Sequence, residues 1–150
     1  MVKGIHNYSE IGKLNKVLLH RLDSEIEGLV PDNFERLLFD DIPYLKVAQE
    51  EHDRFANLLR ENGVEVIYYL EETAKALSDT AVRQEFVKRF AEDSELYSEA
   101  VKETIIHYLM NMPVEDMVKK TIAGIKKSEI GKIESNSLAD YIASGYPYYT

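Results

Sequence analysis

Residues 37–45 read LLFDDIPYL: an apolar run passes directly into Asp40 and Asp41, and Pro43 follows. Adjacent carboxylates in that setting can do two things. They can stand at the rim of a site that takes a cation, or they can end a loop, one of them capping the helix that Pro43 opens. Both readings are open at this level. A second acidic pair, Glu50 and Asp53 in EEHD, falls about one helical turn apart, the ordinary pattern of a solvated face.

The other groups capable of chemistry are sparse. Of the four histidines, His52 falls on an apolar helix face and His107 beside Ile105 and Ile106, both as structural residues. His6 lies near the N-terminus and His20 ends an apolar run. No His-x-x-x-His or His-Glu-x-x-His pattern occurs, so no zinc site is expected. The chain has no cysteine, which excludes disulfides, thiolate metal ligands and a cysteine nucleophile among these residues. Its glycines are scattered, without a phosphate-binding loop, and its serines form no nucleophile elbow. Nothing self-sufficient for catalysis is present.

The elements that position these groups fall into two rhythms. Residues 16–22, KVLLHRL, form an apolar run expected as a buried strand. A helix from Pro43 carries Leu45, Ala48, His52, Phe55 and Leu59 at spacings of 3 and 4, one face of an amphipathic helix. Gly63 suits a left-handed cap at its end, and residues 64–70, VEVIYYL, have the content of a second strand. Residues 1–70 thus read as a βαβ-like unit.

From residue 71 helical periodicity takes over. Val82, Phe86 and Phe90 mark one helix, and Ala100, Val101, Thr104, Ile105, Tyr108 and Leu109 a second. Pro113 opens a third, with Val114, Met117, Val118, Thr121, Ile122 and Ile125 as its stripe. Residues 137–140, SLAD, form a capping box, and Gly145 ends a last short helix. This half is expected to be a small bundle of four or five helices. Met110, Met112 and Met117 belong to its core.

The bulk composition sets limits. With 150 residues, 45% apolar and 30% charged, the chain can bury a core. Residues 1–70 hold 13 acidic and 8 basic residues, and 71–150 hold 14 and 10, giving nets of −5 and −4. Neither half is a basic module, so no nucleic-acid partner is expected. No apolar run reaches the ~20 residues of a membrane helix, and residues 1–10 lack a signal-peptide core, so a cytoplasmic protein without membrane association is expected.

Three stretches carry a resemblance. YSEIGKLNKVLLHR (8–21), PDNFERLLFDDIPYLKVAQEEHDRFANLLRENGVEV (31–66) and LMNMPVEDMVKKTIAGI (109–125) together resemble the N-terminal part of the arginine deiminases, in order and over essentially the whole chain. Leu22 departs from it, because relatives often carry proline after the basic residue. That family's fold implies an α/β protein (α+β over this length): residues 1–70 as the first unit of a pentein-type α/β propeller, and 71–150 as an inserted helical bundle and the start of the return to the propeller.

The resemblance also implies a reaction. These hydrolases convert L-arginine to L-citrulline and ammonia through a cysteine thiouronium intermediate, without metal or organic cofactor. By the resemblance, the cysteine, the histidine and both guanidinium-binding carboxylates of the family fall after this chain's last residue, in a part that would begin with an Asn and a Phe-Thr-Arg-Asp segment. A fragment or truncated relative, inactive alone, is therefore expected. Leu38 aligns with an apolar residue against bound substrate; Asp40 and Asp41 would lie at the active-site rim. Glu10 would join a charged network with a gating arginine elsewhere in the enzyme. The alternative is a non-catalytic binding or regulatory protein derived from the same fold. Either version leaves strand edges uncovered, so a homo-oligomer or self-association through residues 1–70 is expected.

Overall fold

The computed structural model describes residues 7, 9–29, 40–94, 96 and 98–130. Leu38, the SLAD box at 137–140 and Gly145 lie outside the described residues.

Two strands, β1 (Lys16–Leu19) and β2 (Glu65–Tyr68), pair in parallel with Lys16 opposite Glu65 and Leu19 opposite Tyr68. Parallel pairing requires a long crossover, and the connection holds a short helix α1 (Ser24–Glu27) and a long helix α2 (Leu45–Glu61). The βαβ arrangement expected from the sequence is therefore present, with shorter strands. β1 stops at Leu19 rather than at residue 22, because His20 and Arg21 leave the ladder for side-chain partners and the chain turns into α1. β2 stops at Tyr68 rather than at residue 70. Tyr69 already begins helix α3 (Tyr69–Ala76), whose first turn carries Glu71 and Glu72 where the helix dipole favours negative charge.

Helix α2 starts later than expected. Its N-cap is Tyr44, with no side-chain capping bond, and Pro43 stands outside the helix. Neither Asp40 nor Asp41 caps it; Asp41 Oδ1 instead accepts from the adjacent Ile42 N–H at 2.8 Å. Pro43 has no N–H to offer and holds the preceding residue extended, which separates the two aspartates from the first turn. Of the face expected on this helix, Leu45, Ala48, His52 and Leu59 are part-buried and only Phe55 departs. Ala56 is fully buried while Phe55 is 51% exposed, so Phe55 belongs to a second, outward stripe.

The end of α2 follows expectation. Gly63 has φ 78°, its N–H donates to Arg60 O at 2.9 Å, and Val64 N–H donates to Leu59 O at 3.0 Å. That is a Schellman closure, and it needs a residue able to take positive φ.

Four further helices follow α3: α4 (Thr80–Asp93), α5 (Glu99–Met110), α6 (Val114–Ala123) and α7 (Lys127–Ile130). Asp79 caps α4, its carboxylate accepting from Ala81 N–H and Val82 N–H. Val82, expected on the inner face, is exposed, and Val87 and Ala91 are buried beside the half-buried Phe86 and Phe90. Val101, Ile105 and Leu109 of α5 meet Met117 and Val118 of α6, together with Leu77, Val87 and Ile125, in one apolar cluster. Met117 is fully buried there, as its place on the stripe implied. α3 packs on β2 and on α6, and α1 also packs on α6, so the two halves meet along that helix.

Candidate functional site

The residues expected at an active-site rim are described in part. Glu10 is exposed in a turn in which Ile11 N–H donates to Ser9 Oγ at 3.3 Å. Asp40 and Asp41 are exposed in the bend before α2. Both residues are open to solvent, and neither takes the capping role. Leu38 lies outside the described residues.

The densest set of polar contacts is elsewhere, at the carboxyl end of β1. Four consecutive residues follow the strand and reach three helices, α1, α2 and α6. His20 Nε2 meets Glu25 Oε1 at 2.7 Å, and the same oxygen accepts the Asp23 N–H at 2.9 Å. Arg21 donates from Nε to Asp53 Oδ1 at 2.8 Å and from an Nη to Asp53 Oδ2 at 2.9 Å. Leu22 O accepts from Gln49 Nε2 at 2.8 Å. Asp23 faces Lys119 of α6 across 3.9 Å. The turn after β1 is therefore fastened to α2 by Arg21 and Leu22 and stands against α6 at Asp23. Leu22 in place of proline does not disorganise it.

These contacts fix the electrostatics. The hydrogen bonds from Arg21 hold the Asp53 carboxyl below its ordinary range against a smaller desolvation effect, and the Asp53 bond raises Arg21 in return. Paired guanidinium and carboxylate in this two-bond geometry are among the stronger charge-assisted contacts. Farther along, burial and a 3.0 Å bond to Glu129 raise the Tyr108 phenol.

Behind the turn is an open cleft of about 180 Å³. One wall is the turn itself, residues 20–23 with Glu25; the other is Lys119 and Ile122 of α6, with Leu70 of α3 between them. Among the described residues no cluster of three or more His, Asp and Glu could hold a metal ion. None of their helices is long and apolar enough to cross a membrane.

Glu50 and Asp53 do not act together: Asp53 turns to Arg21, and Glu50 is exposed. His52 lies on the inner side of α2, its ring 5.9 Å from that of Tyr68, but its buried Nε2 has no hydrogen-bond partner among the described residues. It is structural without being satisfied. Gln49 and Lys119 were not singled out by the sequence. Their signal was weak: Gln49 stands beside the His52 face, and Lys119 is one of two adjacent lysines on α6.

Comparison with known proteins joins these observations to a family. The arginine deiminase family model matches residues 35–150. An arginine deiminase of Streptococcus uberis is 47% identical over 96% of this chain. Enzymes of the same name from Streptococcus agalactiae and Streptococcus pyogenes are 46% and 45% identical over the same share. The chain spans 36% of the length of these curated relatives. By its match to the family model and its identity to these relatives along nearly all its length, the chain belongs to the arginine deiminase family.

Proposed function

We propose that this chain is the N-terminal part of a cytoplasmic hydrolase that converts L-arginine to L-citrulline and ammonia. The observation that carries the reading is 47% identity over 96% of the chain to an enzyme named for that reaction. In this reading residues 1–70 are the first α/β propeller unit, and 71–150 are the inserted helical bundle with the start of the return. The parallel β1–β2 pair and the separate apolar cluster of the helical half support that division.

The chemistry follows from the substrate. A guanidinium is planar, with five donors, and is held best by paired carboxylates. A cysteine thiolate attacks its central carbon, ammonia leaves, and a histidine-assisted water releases citrulline from the thiouronium. Since these 150 residues contain no cysteine, the nucleophile comes from elsewhere in the complete enzyme. Leu38 would pack on the substrate, with Glu10, Asp40 and Asp41 at the rim. The exposure of those three carboxylates supports a rim role. No nucleic acid and no metal take part.

Reading the coding DNA past Thr150 is the direct test. The expected result is an in-frame continuation to a Phe-Thr-Arg-Asp segment and a late cysteine, whose expressed product forms citrulline from arginine. Residues 1–150 alone form none. A stop codon directly after Thr150, or a complete product that leaves arginine unchanged, overturns the reading in favour of a non-catalytic binding or regulatory protein.

A further inference from the structure

We infer that the cleft behind the β1 turn is a binding site for a free α-amino acid with a small apolar side chain. This goes beyond the hydrolase reading and does not depend on it. The argument starts from the charges that line the cleft. Among the described residues two are cationic, Arg21 and Lys119, and two are anionic, Asp23 and Glu25. Two of the four are already engaged. Arg21 has both its bonds on Asp53, and Glu25 receives His20 and the Asp23 N–H.

The other two, Asp23 on one wall and Lys119 on the other, form a loose ion pair with each other. They stand 3.9 Å apart, beyond the roughly 2.7–2.9 Å of a charge-assisted hydrogen bond. Their side chains are 46% and 44% exposed, so each can reach a ligand. A single ion of either sign would satisfy one and repel the other. A zwitterion satisfies both, its ammonium donating to Asp23 and its carboxylate accepting from Lys119.

Size and lining narrow the ligand. A cavity of about 150 Å³ takes a molecule the size of benzene, so a cleft of about 180 Å³ suits about six to eight non-hydrogen atoms by the same measure. Leu22, Leu70 and Ile122 supply the apolar surface beside the charged pair. The position also fits, because ligands of open α/β sheets bind outside the carboxyl ends of parallel strands, and this cleft lies just past Leu19 and Tyr68.

The test is an NMR titration of the chain with L-valine, repeated with N-acetyl-L-valine and L-valinamide, each of which lacks one of the two charges. Saturable shifts centred on Asp23, Lys119 and Ile122 are expected with L-valine, and at least tenfold weaker binding with either blocked analogue. Lys119→Met and Asp23→Asn should each weaken L-valine about tenfold. Lys88→Met, which removes a 3.8 Å ion pair on α4 remote from the cleft, should leave it unchanged. Absence of saturable shifts, equal binding of the blocked analogues, or full binding by Lys119→Met overturns the proposal. The analogue series on the unaltered chain decides the matter even if a variant fails to fold.

Discussion

Arg21 and Asp53 are 32 residues apart in the chain and joined by two hydrogen bonds, so their contact ties the exit of β1 to the middle of α2. Most exposed ion pairs contribute little; the two-bond geometry and the bridge between elements are what distinguish this one. The sign of its pH dependence follows from Asp53, whose carboxyl is held low by Arg21. A depressed folded pKa stabilises the protein above the unfolded carboxylate range and loses that contribution as pH falls through the folded value. Asp53→Asn should therefore lower the melting temperature at pH 7, and the gap from the parent should close as pH falls below about 4. Melting curves at several pH values check this; a gap that persists unchanged in acid would contradict it. Asp53 was visible in the sequence only as half of an acidic pair with Glu50. Nothing local could show its partner, because the contact depends on how far the turn after β1 swings toward α2.

At the level of the element, the two ends of α2 show what local sequence can specify. Gly63 was legible because a left-handed cap has a chemical requirement that glycine meets at least cost. Nothing lies within 4 Å of where a Cβ would stand on Gly63, so Gly63→Ala isolates the backbone effect and should cost about 1 kcal/mol. Denaturant unfolding measures it. The start of α2 was not legible, because two aspartates, a proline and a helix permit more than one starting point. Asp41 spends its carboxylate on Ile42 N–H, whereas Asp79 accepts from two amides at the start of α4. Asp79→Ala should therefore cost about 1 kcal/mol, and Asp41→Ala less than about 0.5 kcal/mol. Comparable losses from both variants would mean that Asp41 does cap α2. The outward turn of Phe55 has a related cause. Apolar residues cover more of α2 than one partner surface can bury, and spacing alone does not say which of them face the sheet.

Across the whole molecule, burial is unequally shared. The cluster that includes Ile105, Leu109, Met117 and Ile125 lies entirely in the helical half. Among the described residues up to Tyr68, the buried apolar residues are Ile26, Leu29, Ala56 and Val64. On the same part, Val47, Phe55 and Leu58 are 43–58% exposed, and at 100° per residue they fall within an arc of roughly 80° on α2; Tyr44, its N-cap, is 70% exposed beside them. Leu18 of β1 is 52% exposed, although parallel strands are ordinarily covered on both faces. Among the described residues the helical half therefore has its own core, while the α/β half presents an exposed apolar stripe and a part-exposed strand face. Surfaces of that kind drive association. The isolated chain should sediment as a dimer or larger at tens of micromolar, and Phe55→Glu with Leu58→Lys should return it to monomer. The α-helical circular dichroism should be retained in that variant, because neither side chain belongs to the buried cluster. A monodisperse monomer of the unaltered chain would show that the stripe is tolerated in water.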